Sequence, residues 1–326
     1  MILPYALRLV CLCFASFFVL NAAAGLLVRI ASASAIRFAE SKTPNAAARF
    51  LLAAHLFPVA LATLFVLALC VPSYLWLEPT AGAERVGGIC ALLGLLGVAT
   101  CLHSMARTAI SLFASLRHYR LCRLGGQEMR LPGAPSPTVV LEGEAPLLAM
   151  FGLLRSRLLI SRGVLRTLSA EELDATLSHE HAHRTSRDNF KRLLLLLAPD
   201  IFPFVRAFRT LEHSWAKFTE WAADDQATAG DSSRAIFLAA ALVQVARMGS
   251  GPRLPFLSTS LLARDRDLAV RVNRLLRAAP VTPALPSKTR PLLRGASFLF
   301  ACCLAALLLA PPTLSLVHEL LERFLH

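Results

Sequence analysis

Leu177-Ser178-His179-Glu180-His181-Ala182-His183 holds the pattern His-Glu-x-x-His, the most informative stretch of the chain. On a helix, His179 and His183 stand one turn apart on one face, so both imidazoles can bind a single zinc ion. Glu180 is next to the first of them, and its carboxylate can reach an attacking water without ligating the metal. There it can take the proton from that water and pass it to a leaving amine. His181 points away from that face and is not expected to be a ligand. Ser169-Ala170-Glu171-Glu172 is a capping box that opens this helix, and Leu173 and Leu177 come next on one side.

A catalytic zinc site needs a third protein ligand and a fourth position left for water. Asn189 to about Phe208 reads as another helical run, after which the chain returns through Glu212 to Glu220-Trp221-Ala222-Ala223-Asp224-Asp225. A helix out and a helix back can bring a distant carboxylate to a His pair. Glu220 is the leading third ligand, with Glu212 and His213 as rivals. Asp224 shares a face with Glu220 and is suited to hydrogen-bond the far nitrogen of a ligand His. Asp188, five residues past His183, can fix the end of the motif helix, with a surface salt bridge as its competing role. Asp225 reads as surface.

Outside this region the chain is unusually apolar. Of its 326 residues 56% are hydrophobic and 17% charged, against about 25% charged in an average soluble domain. Four stretches are long and apolar enough for a bilayer, at about residues 9–27, 50–76, 86–105 and 295–317. A cleaved signal peptide is the alternative for the first. The net charge of +13 is distributed as an orientation signal. Arg29, Arg37, Lys42 and Arg49 follow the first span, and Arg117, Arg120 and Arg123 follow the third. Lys288, Arg290 and Arg294 precede the fourth, whereas the loop after the second span has Arg85 alone. Both termini are therefore expected outside, with the long central region in the cytosol. No basic patch interleaved with aromatics is present, so direct nucleic-acid binding is not expected. Seven cysteines, Cys11, Cys13, Cys70, Cys90, Cys101, Cys302 and Cys303, lie in apolar spans and read as small apolar residues.

The expected organisation is a membrane region over 1–115, a cytosolic domain over 116–291, and a fourth span with a short external tail over 292–326. The fold is mainly α with a small β element. Thr138–Leu141 and Arg157–Ser161 read as strands, either of which could offer an edge to an extended substrate. Pro199 to Phe208 reads either as protease core or as a segment at the membrane interface.

The run Pro146, Gly152, Leu158-Leu159-Ile160-Ser161-Arg162-Gly163-Val164-Leu165, His179-Glu180-His181-Ala182-His183, Arg187-Asp188-Asn189 and Glu220-Trp221-Ala222-Ala223-Asp224 resembles the integral-membrane zinc metallopeptidases of the BlaR/MecR type. The HtpX and CAAX-prenyl-protease type is a more distant likeness. Arg271-Val272-Asn273-Arg274-Leu275-Leu276 resembles a closing helix of the family. The resemblance implies a gluzincin-type domain inserted between the third and fourth spans. It also implies a Zn2+ cofactor and peptide hydrolysis at the inner membrane of a bacterium. The resemblance does not supply the substrate; the leading reading is an endopeptidase acting on a cytosolic or membrane-proximal protein, with a transcriptional repressor among the candidates. BlaR/MecR proteins carry a penicillin-binding domain after the fourth span, where this chain stops at His326, so beta-lactam sensing is not expected. The competing classes are a non-catalytic membrane scaffold that keeps the metal, a quality-control protease of the HtpX kind, and a transporter. For the last, the expected sign is ionisable residues within the spans, and only His55 and His103 qualify.

Overall fold

Three rods of helix form one part of the molecule, and a helical domain with a small sheet forms the other. The structure, a computed structural model, describes residues 4–78, 86–131, 133–134, 138–153, 156–200, 206–249, 258–260, 268–277 and 310–325. The first rod is α1 (Tyr5–Glu40). The second joins α2 (Pro44–Phe65) to α3 (Val71–Leu77) through a π-helical segment at Val66–Cys70. The third is α4 (Gly88–Leu124). At 36, 34 and 37 residues, all three are long and apolar enough to cross a membrane. Leu61, Leu64, Leu92, Leu95, Ile110 and Phe113 stand exposed along them, as side chains facing lipid would.

The rods approach closely because α4 places glycines against α1. A Cβ on Gly97 would collide with the Phe14 carbonyl, and one on Gly94 would meet Cys11. Small residues at such contacts let two backbones meet where lipid gives no hydrophobic drive for association.

The expected fourth span, 295–317, falls mostly outside the described residues. A helix, α11 (Pro311–Leu325), starts at a proline pair, whose fixed φ suits the first helical turn. It packs Val317 and Leu321 against Leu12, Cys70, Tyr74 and Cys90.

The sheet contains β1 (Gly126–Met129), β2 (Thr138–Leu141), β3 (Leu148–Phe151), β4 (Arg157–Ser161) and β5 (Ser258–Ser260) in the order β1-β2-β4-β3-β5. Only β2 and β4 run parallel. The two strands expected to offer an edge, β2 and β4, are both interior, because β1 folds back beside β2 and β3 beside β4. The helices of this domain are α5 (Arg162–Thr167), α6 (Ala170–Ser186), α7 (Asp188–Leu197), α8 (Arg206–Thr228), α9 (Ser232–Arg247) and α10 (Leu268–Arg277). Their core joins Leu148, Leu158 and Ile160 of the sheet to Leu177 of α6, Leu238 and Leu242 of α9, and Leu275 of α10.

The run from Asn189 to Phe208 is not one helix. It ends at Leu197 because Ala198 turns extended, at ψ 121°. A residue before proline is held in that region by the Pro199 ring. Phe202 and Phe204 lie outside the described residues. Phe208 packs with α1 and α2 residues rather than within the core that joins the sheet to α6, α9 and α10.

We expect Gly97→Leu to separate α4 from α1 and lower the stability of the purified protein by about 1–3 kcal/mol. Thermal unfolding in detergent measures this, with Gly88→Leu, which meets nothing within 4 Å, as the control.

Candidate metal centre

The motif helix α6 begins where the sequence announces it. The Ser169 side chain accepts from the Glu172 amide at 3.2 Å, and Glu172 accepts from the Ser169 amide at 2.9 Å. One face of α6 then buries His179, Glu180 and His183 completely, while His181 is exposed. At its other end Arg187 adopts the left-handed conformation, φ 55° and ψ 42°, which is uncommon for a residue with a Cβ. That turn starts α7 at once and swings Asp188 back beneath the helix. The Asp188 carboxylate lies 2.8 Å from His183 Nδ1 and also takes Lys191 at 2.7 Å. Asn189 donates to the carbonyls of Met150 and Gly152, tying the junction to the end of β3.

α8 supplies the opposite wall, with two differently occupied faces. Leu211, Trp215 and Phe218 pack against Ala39, Ala47 and Leu51 at the near ends of α1 and α2. Glu220 and Asp224, one turn apart, face α6. The Nε2 atoms of His179 and His183 are 3.1 Å apart. Glu220 places one oxygen 3.5 Å from the first and the other 3.7 Å from the second. Donor atoms at tetrahedral angles around a zinc ion lie about 3.3–3.6 Å apart, so these three residues could hold one metal ion. Glu212 and His213, the rival ligands, are not in this cluster. Asp225 pairs with Arg274 of α10 at 2.7 Å and is part-exposed.

The chemistry of the donors fits a cation. His179 Nδ1 lies 3.0 Å from Asp224, and His183 Nδ1 lies against Asp188. Asp188 holds the proton on His183 Nδ1, and the charge of Asp224 beside His179 Nδ1 favours the proton there, so both Nε2 lone pairs face inward. Two inward lone pairs and a carboxylate need a positive charge between them. Without a metal ion, protons would supply it. Burial alone would lower His183, but the Glu220 charge and the Asp188 hydrogen bond outweigh it and hold the imidazole up at about 10. His179 is likewise raised, against its burial, by the Asp224 and Glu220 hydrogen bonds. Glu220 is held well below its usual range despite burial, chiefly by the charge on His183. Both oxygens of Glu180 are buried without a hydrogen-bond partner among the described residues. Burial raises that carboxyl to about 7, against the lowering pull of His183 and His179.

Sequence reading gave Arg271 no role at the site. It lies on α10, is 5% exposed, and binds both oxygens of Asp224 at 2.7 and 3.0 Å. It also reaches Glu220 at 3.2 Å. Its charge holds Asp224 down at about 2, against the burial of that carboxyl. The available signal was an arginine at a helix position whose neighbours Val272 and Leu275 pack inward.

Residues 117–250 match the model of peptidase family M48. That stretch takes in His179, Glu180, His183, Glu220 and Asp224, and it ends before α10. No curated protein is similar enough to the chain to match it. A metallopeptidase-like domain is thus joined to three helices long enough to cross a membrane.

Two outcomes are expected. Metal must displace the proton on His183, so apparent zinc affinity should rise with pH between 6 and 8, about tenfold per unit for each proton released. Titration calorimetry in buffers of different ionisation enthalpy counts those protons. Arg271→Ala should destabilise the fold by about 3–5 kcal/mol, because it strands two buried carboxylates. In thermal unfolding Arg271→Lys should recover only part of this, since one ammonium cannot span Asp224 and Glu220 as a guanidinium does.

Proposed function

We propose that this chain is a membrane-anchored zinc endopeptidase of the M48 type. The observation that carries the reading is the convergence of two imidazole Nε2 atoms and the Glu220 carboxylate beside a buried carboxyl, Glu180, that bonds to nothing described. His179, His183 and Glu220 would hold the ion. Zinc bound there supplies Lewis-acid activation of the scissile carbonyl and of water. Glu180 takes the proton from the attacking water and returns it to the leaving amine, a task suited to a carboxyl poised near neutrality. Asp188 and Asp224 keep the two imidazoles oriented, and Arg271 keeps Asp224 and Glu220 ionised.

A non-catalytic scaffold would need the metal ligands but not Glu180. A buried carboxyl with no partner costs stability, and proton transfer is the return on that cost. The substrate is a cytosolic or membrane-proximal protein. Regulatory cleavage of the BlaR/MecR kind, with a repressor or regulator as substrate, is favoured over broad quality control of the HtpX kind by one feature. β5, part of the chain itself, takes the β3 edge and sits beside α6 and α7, which suits controlled access. The basic residues around the α1–α2 turn and the end of α4 support an inner-membrane protein with its site in the cytosol and both termini outside.

Glu180→Gln should retain zinc and the fold while hydrolysis of a casein or repressor peptide falls at least about 10²-fold. Cleavage at the wild-type rate would show that another group moves the proton.

A further inference from the structure

At the end of the rods remote from the metal centre, three further side chains bring one donor atom each within metal-binding range of one another. Glu78 follows α3, and His318 and Glu322 stand one turn apart on α11. His318 Nε2 lies 3.7 Å from a Glu78 oxygen and 3.2 Å from a Glu322 oxygen. One donor atom from each residue lies within 4.8 Å of the others. The second rod runs from Leu51, packed on α8, to Glu78, about 40 Å at 1.5 Å per residue. The two clusters share no residue.

We propose that Glu78, His318 and Glu322 form a second divalent-metal site, with Zn2+ as the ion it takes. An imidazole with two carboxylates suits zinc better than magnesium or calcium, which prefer oxygen alone. Three protein ligands leave a further position open. The site is set in a rigid frame. Glu78 is buried, and its second oxygen lies 3.5 Å from the guanidinium of Arg8, itself 1% exposed. Arg8 balances the charge of that carboxylate and turns it toward His318, as an outer hydrogen bond orients a metal-ligating carboxylate. Tyr5 and Tyr74 exchange hydrogen bonds with each other's backbone carbonyls, fixing α1 to α3 beneath it. Glu322 is half exposed, which gives an ion a way in. Binding would clasp α11 to α3 and, through Arg8, to α1.

The test is zinc stoichiometry of the full-length protein in detergent after dialysis against dilute ZnSO4. Wild type should hold two equivalents. His318→Ala with Glu322→Gln, neither of which belongs to the Leu12–Tyr74–Val317–Leu321 packing that holds α11, should hold one and still melt cooperatively. A His179→Ala/His183→Ala variant should also hold one, and adding His318→Ala to it should leave none. A catalytic cluster that binds no zinc would instead give one equivalent in wild type and none in His318→Ala, which leaves this proposal standing while removing the peptidase reading. An unchanged zinc content in the α11 double variant overturns it and reduces the cluster to ion pairs.

Discussion

Everything at the candidate centre depends on keeping two imidazole nitrogens pointed at one another. Left alone, the Nε2 atoms of His179 and His183 would turn apart. Each ring is held from behind by a carboxylate, Asp224 for one and Asp188 for the other. Those carboxylates come from different helices, and a third helix brings Arg271 to neutralise Asp224 and Glu220. Nearly all of these groups are buried, where a complete network rigidifies a site and an incomplete one is costly. The geometry of α6, α7, α8 and α10 is therefore one problem with one solution. Displacing any of them leaves a charge buried without its counterpart.

The membrane-length helices enter the same network through α7. Its first residue is Asp188, on His183. Its last carbonyls, of Leu196 and Ala198, accept from Arg107 of α4 at 2.8 and 3.4 Å. A cation at a helix C-terminus is favoured by unsatisfied carbonyls and by the dipole. One residue further on, Asn21 of α1 donates to the Pro199 carbonyl at 3.0 Å. A ten-residue helix thus carries a carboxylate for the centre at one end and contacts with two long rods at the other.

Much of this was legible in local pattern, because local pattern is what caps and helix faces are made of. Ser169 to Glu172 announces the start of α6. His179 and His183 share a face by periodicity alone, and so do Glu220 and Asp224. What sequence could not supply was long-range pairing. Arg271 finds Asp224 across 47 positions, and nothing beside either residue specifies the other. Strand order was hidden for the same reason: β2 and β4 carry the strongest strand composition, but neighbours brought from elsewhere make them interior. The break at Ala198 was readable in principle, since a residue before proline leaves the helical region. The leucine run ahead of it concealed that signal.

The excess length of the rods explains how the domain is held. A bilayer core takes about 20 residues of helix, yet α1 has 36 and α4 has 37. The remainder lies at the peptidase end, where Ala39, Ala47 and Leu51 pack against Leu195, Leu211, Trp215 and Phe218. Alanines and a leucine on the rods against larger side chains on α7 and α8 give a close-packed contact. α8 meets the rods with one face and the metal cluster with the other, and its helix is continuous between them. In the proposed topology the centre is consequently held at a fixed height and orientation beside the bilayer. Under the proposed function a substrate would have to present its scissile bond at that height, which a membrane-proximal segment does without unfolding and a distant one only by unfolding toward it.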